Sequence, residues 1–149
     1  MLNTPAPHLE LLELSWDGAE SRELCITLPS DLFAHQAPKL RHVTLADCTV
    51  PWNSPLFRDL THLDICIPTV KPAAPSDLLS IPTLKRLLDI LEAMPSLQVL
   101  ALENCLPRPE PTASSRVVPL RHISKLSLNG SASEIAAVWG GSPYRVQPF

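Results

Sequence analysis

Five times along this chain an apolar residue is followed, three and five positions later, by two more. The starts are Leu9, Leu40, Leu60, Leu97 and Ile123, the second positions Leu12, Val43, Leu63, Leu100 and Leu126, and the third Leu14, Leu45, Ile65, Leu102 and Leu128. Alternation between the second and third positions is the period of a strand, so each recurrence predicts a short strand with those two side chains on one buried face. One such strand cannot bury its apolar face alone, whereas successive units stacked side by side build a parallel sheet over a continuous core. Strands are therefore expected at 12–14, 43–45, 63–65, 100–102 and 126–128, all parallel.

Three residues beyond the third apolar position stand Asp17, Cys48, Pro68, Cys105 and Ser131. Cys48 and Cys105 fall where the leucine-rich repeat pattern L-x-x-L-x-L-x-x-N/C-x-L places Asn or Cys, a residue small enough to sit inside the bend at the strand exit. The expected fold class is α/β: a leucine-rich repeat solenoid with short parallel strands on the concave face and helices and loops on the convex side. Residues 1–141 are expected to form a single domain of about five irregular repeats, and 142–149 an irregular tail. The intervals from Leu40 to Leu60 and from Leu97 to Ile123 fit the roughly 20–29 residues of such a repeat; the other two need insertions. One insertion places Leu84, Leu87, Leu88, Leu91 and Met94 at helical spacing before Pro95, predicting a helix over 84–94. Residues 106–119 lack periodicity and read as an exposed loop. Ser131 and Glu134 match a capping box that opens a short helix, which Gly140 and Gly141 stop.

At 149 residues, 45% of them hydrophobic and 18% charged, the chain suits one globular domain despite its 17 prolines. A net charge of −3 without a basic cluster excludes an electrostatic footprint for nucleic acid or an anionic membrane surface. The opening "MLNTPAPHLELLEL" lacks a basic and continuously apolar leader, and no apolar run reaches the roughly 18 residues of a membrane span, so a cytoplasmic or nuclear protein with no membrane association is expected. Cys25, Cys48, Cys66 and Cys105 lie far apart with no CxxC pair, which favours buried thiols over disulfides.

The stretches "APHLELLELSW", "LPSDLFAHQAPKLRHVTLADCTVPWNSPLFRDLTHLDI", "LLDILEAMPSLQVLALENCLP" and "VVPLRHISKLSLNGSASEI" together resemble the leucine-rich repeat region of fungal F-box/leucine-rich-repeat proteins, of the kind numerous in mushroom-forming fungi, over about residues 6 to 138. The resemblance implies the substrate-recognition half of an SCF-type ubiquitin ligase, whose F-box recruits the ligase core while the repeats bind a target. The F-box itself is missing. "LPSDLF" imitates its opening, but Pro38 disfavours helix at Ala37 and a strand follows at once, so this segment is expected to be a connector between repeats. Ligase components are partners only if an F-box is present in the full-length product.

Strand alternation turns the third, fifth and seventh residue of each recurrence to the solvent side of the sheet. The candidate partner-binding residues are Leu11, His42, His62, Val99 and Lys125 in one row and Glu13, Thr44, Asp64, Ala101 and Ser127 in the next. A third row holds Ser15, Ala46, Cys66, Glu103 and Asn129. The acidic and histidine residues of the first three units suit a partner segment bearing Lys or Arg. The leading expectation is a non-enzymatic module that binds an unknown protein target, with no cofactor and no metal. No G-x-S-x-G elbow or phosphate-cradling loop exists among the four glycines, and no cation or helix N-terminus is expected near Cys66 to activate its thiol. The alternative is a metal-binding protein or hydrolase that uses His42, His62 and Asp64, the two imidazoles standing roughly 5 Å apart on adjacent strands; a third reading is an incomplete gene product with no independent function. Trp52 is expected to plug the core beneath a turn. Leu9, Leu12 and Leu14 have only a short segment before them, so self-association through the first strand is expected.

Overall fold

A computed structural model describes residues 3–16, 26–67, 81–108, 118–139 and 146–148. In chain order they form β1 (Leu11–Ser15), β2 (Ile26–Thr27), a 3-10 turn (Leu32–His35), β3 (His42–Ala46), β4 (Cys48–Thr49), β5 (His62–Cys66), α1 (Leu84–Glu92), β6 (Val99–Glu103), β7 (Val118–Leu120), β8 (Lys125–Asn129), α2 (Ala132–Trp139) and β9 (Val146–Pro148). The architecture is mixed α/β, built on an open five-stranded sheet of order β1-β3-β5-β6-β8. All five expected strands are present. Every pairing among the described strands is parallel, and the five recurrences stack without offset: Leu12 opposite Val43, Val43 opposite Leu63, Leu63 opposite Leu100, Leu100 opposite Leu126.

The backbone repeats its connections at both ends of the sheet. At strand entry one carbonyl accepts two N–H groups from the next strand over: Glu10 from Arg41 and His42 (2.9 and 3.1 Å), Arg41 from Thr61 and His62 (2.8 and 3.0 Å), Thr61 from Gln98 and Val99 (2.7 and 3.0 Å), Gln98 from Ser124 and Lys125 (2.7 and 3.1 Å). At strand exit Trp16, Asp47, Ile67 and Asn104 each donate their N–H to the last residue of the neighbouring strand. Before four of the strands the first apolar residue closes a turn onto the carbonyl three residues earlier: Leu9 onto Ala6, Leu40 onto Ala37, Leu97 onto Met94, Ile123 onto Leu120. In three of these turns the second residue is proline (Pro7, Pro38, Pro95), whose fixed φ pre-sets that position. Several of the chain's prolines therefore aim strands rather than disrupt them.

Cys48 and Cys105 each follow a strand of the five-stranded sheet by two residues. The buried Cys48 thiol donates to the Leu14 carbonyl (3.6 Å) and the buried Cys105 thiol to the Ile65 carbonyl (3.8 Å), the same strand position in the adjacent unit each time. The preceding residues, Asp47 and Asn104, take left-handed backbone at φ 58° and 59°, a region that short polar side chains tolerate best. Cys105→Ala removes both a donor and packed volume, and is expected to lower stability by about 1–2 kcal/mol in chemical denaturation. A change within error would mean that the thiol has no energetic part in the bend.

The core lies on one side of the sheet. Val43, Leu45, Leu63, Ile65, Leu100 and Leu102 are fully buried in the three inner strands, while Leu14, Leu126 and Leu128 of the two outer strands, which have a described strand on one side only, are half-buried. The helix α1 adds Leu84, Leu87, Leu88, Ile90 and Leu91, and its N-cap Thr83 accepts a hydrogen bond from the Arg86 N–H at 3.2 Å. It ends at Glu92, slightly before the expected limit, and Met94 is buried in the turn that follows. The capping box of α2 forms both ways: Ser131 N–H donates to Glu134 Oε2 (2.9 Å) and Glu134 N–H to Ser131 Oγ (3.3 Å).

Two expectations of irregular chain are corrected. Val118 and Pro119, at the end of the expected 106–119 loop, belong to β7, which pairs in parallel with β9, Val146–Pro148 of the 142–149 tail. A three-residue strand carries too little alternation to be read from sequence, and the pairing brings together segments far apart in the chain. The rest of the expected 106–119 loop beyond Arg108, the glycine stop of α2 and Cys25 lie outside the described residues.

Candidate binding face of the sheet

Since the inward residues of the sheet fill the core, the alternate residues form its other face, and zero-offset register lines them up in straight rows. The first row runs Leu11, His42, His62, Val99, Lys125, the second Glu13, Thr44, Asp64, Ala101, Ser127, and the third Ser15, Ala46, Cys66, Glu103, Asn129. Each expected partner-binding residue stands on this face. Leu11, Glu13, Asp64, Lys125 and Ser127 are exposed; His42, Thr44, His62, Val99 and Ala101 are half-buried among their row neighbours. Its carboxylates, Glu13, Asp64 and Glu103, outnumber Lys125, the one lysine in the rows. Among the described residues Leu11 at 49% and Trp16 at 52% are the large apolar side chains left most open, both at the β1 edge.

The two histidines are stacked. Register sets His42 beside His62, and their rings lie 3.7 Å apart between centroids with planes 17° from parallel, while Thr61 Oγ1 is 2.9 Å from His62 Nδ1. Face-to-face packing spends the ring surfaces on each other rather than converging nitrogen lone pairs on one point. Asp64 lies in the next row, opposite Thr44 and Ala101. Among the described residues no group of three or more His, Cys, Asp or Glu side chains could hold a metal ion.

Partial burial, and then the neighbouring His42, hold His62 below the ordinary imidazole value of 6.5. The unfolded chain therefore takes up this proton first on acidification, and the folded state loses stability as pH falls through about 6.5 and below. The melting temperature is expected to drop across that interval, and His62→Gln to flatten this part of the profile. Superimposable profiles for the two proteins would count against the stack.

Burial pushes the Cys66 thiol up to about 11; its hydrogen bond to Glu103 and the carboxylates of Glu103, Asp47 and Asp64 act in the same direction. The sulfur is thus protonated near neutral pH and lacks the thiolate that nucleophilic attack requires.

Trp52 is buried, 7% exposed, and stacks on Phe57, filling space beneath the loop as expected. "LPSDLF" leads into the 3-10 turn rather than a longer helix. Within that turn Phe33, Ala34 and His35 all have left-handed φ (54°, 49° and 59°), at a cost of roughly 1–2 kcal/mol per residue. Sequence reasoning missed this turn and the cleft beside it. No glycine or asparagine marks the three positions, so the only local signal points to ordinary backbone.

Among the described residues no helix is long and apolar enough to cross a membrane. No protein-family model, no curated protein and no solved structure matches the chain.

Proposed function

We propose that this chain is a leucine-rich repeat module that binds a protein partner on the exposed face of its five-stranded sheet and catalyses no reaction. The observation that carries this reading is the zero-offset register, which turns five recurrences scattered through the sequence into continuous rows from Leu11 to Lys125 and from Glu13 to Ser127. Flat rows of small, aromatic and acidic side chains suit an extended or helical segment bearing Lys or Arg. Exposed ion pairs contribute only about 0–1 kcal/mol each, so apolar contacts at Leu11 and Val99 and the fit to the histidine pair must supply most of the affinity.

The resemblance to fungal F-box/leucine-rich-repeat proteins extends the reading to substrate recognition for an SCF-type ubiquitin ligase in the cytoplasm or nucleus, provided that an F-box belongs to the full-length product. Photo-crosslinking tests the face directly. A crosslinking side chain placed at Thr44 should capture a discrete partner that the same group at Lys85, exposed on α1, does not. Replacing His42, His62 and Asp64 together by Ala should reduce capture at least about tenfold while leaving the unfolding transition cooperative. Equal capture from both positions, or an unchanged yield in the triple variant, would refute binding through the sheet.

A further inference from the structure

A cleft of about 400 Å³ opens at the entry ends of β1, β3 and β5, away from the rows of the sheet face. Its floor is apolar, made by the buried side chains of Leu32, Leu40 and Leu56, and its rim carries His35, Arg41 and Arg58. Its size falls in the range of pockets that enclose a small ligand or a short peptide end. The Arg41 guanidinium is already oriented, since Nη1 donates to the carbonyls of Pro38 (3.1 Å) and Leu40 (2.8 Å). A held guanidinium offers its remaining N–H groups as a fixed fork for a planar anion. Neither Arg41 nor Arg58 has a carboxylate partner among the described residues; Asp59, the one acid on the rim, forms an ion pair with neither.

The wall nearest Leu32 and His35 is the left-handed turn. It is pinned from both sides, by Ala34 N–H on the Asp31 carbonyl (2.9 Å), Gln36 N–H on the Phe33 carbonyl (2.8 Å) and Ala6 N–H on the Gln36 carbonyl (2.9 Å). Asp59, which also lines the cleft, likewise has left-handed φ (53°). Among the described residues, four of the six non-glycine residues with positive φ therefore sit in or beside this one cleft. Backbone strain of this kind persists where the surroundings over-determine it, and it concentrates at ligand clamps.

We infer that the cleft binds a carboxylate carrying a branched aliphatic group, with the aliphatic part on the Leu32, Leu40 and Leu56 floor and the carboxylate on Arg41 and Arg58. A purely inorganic anion would leave the leucine floor unused, and a neutral apolar ligand would leave two guanidinium groups without a partner. The same chemistry occurs in a free branched-chain acid and at the carboxyl end of a peptide finishing in leucine.

Amide chemical-shift titration of the full chain separates the cases, with N-acetyl-leucine, N-acetyl-leucinamide and the tripeptide acetyl-Gly-Pro-Leu as probes. N-acetyl-leucine should shift the amides of residues 33–37 and 56–59 saturably, and N-acetyl-leucinamide should bind at least about tenfold more weakly, because it lacks the charge-assisted bonds. Arg58→Gln should weaken N-acetyl-leucine by a similar factor without changing the melting temperature. Arg41→Gln is the less clean variant, since Arg41 also holds two carbonyls of the turn. Tighter binding of the tripeptide would identify a peptide end as the ligand, and equal binding a small acid. Absence of cleft shifts at millimolar probe, equal binding of the amide, or indifference to Arg58→Gln would each overturn the site.

Discussion

Phe57→Ala is expected to lower the unfolding free energy by about 3–5 kcal/mol, the usual range for emptying a buried phenylalanine site. Phe57 is fully buried and lies against Trp52, with ring centroids 5.4 Å apart and planes 15° from parallel. The loop around it is wound tightly: Ser54 N–H donates to the Pro51 carbonyl, Leu56 N–H to Ser54 Oγ, and Phe57 N–H to the Ser54 carbonyl. A loop so tied cannot readily collapse into the vacated space, which places the cost toward the upper end. Phe57→Leu keeps most of the apolar volume and loses chiefly the ring contact, a difference of about 0.5–1.5 kcal/mol. Chemical denaturation followed by tryptophan fluorescence reads both variants. A cost below about 1 kcal/mol for Phe57→Ala would show that the loop does not belong to the cooperative core.

Leu100→Ala should cost about 2–5 kcal/mol. Leu100 is 1% exposed at the centre of β6, between Leu63 and Leu126 in the sheet. Its neighbours are themselves held in register, so the cavity can be closed only by shifting whole strands. Leu126→Ala, one strand further out, begins from a half-buried side chain and should cost clearly less. Equal costs at the two positions would contradict the layering of inner and outer strands.

Much of this fold was legible because it is carried by local periodicity. Leu12, Val43, Leu63, Leu100 and Leu126 could be aligned by eye, and the sheet aligns them in the same way, since a strand slipped by one residue would turn its leucines to water. The helix α1 and the capping box at Ser131 and Glu134 were readable for a similar reason: their determining contacts lie within a turn or two of chain. The proline turns before the strands were equally available in "APHL", "APKL" and "MPSL", but a proline is usually taken as a breaker before it is taken as a guide. The histidine pair was half legible. Sequence placed the two rings side by side; it did not reveal that they would stack.

By itself the sequence determined where the five strands of the main sheet fall, which side chains they bury and in what order the exposed residues line up, because the two-residue period of a strand leaves one arrangement that buries the recurring apolar positions. Only the tertiary structure decided what lies between the strands. The acceptor of the Cys105 thiol is at Ile65, β9 finds its partner in β7, and the cleft joins Leu32, Leu40 and Leu56 through a turn whose backbone runs against local preference. Each of these depends on how an insertion of irregular length folds back onto the stack. That is settled by the sum of packing and hydrogen bonding across the whole molecule, and no window of sequence contains it.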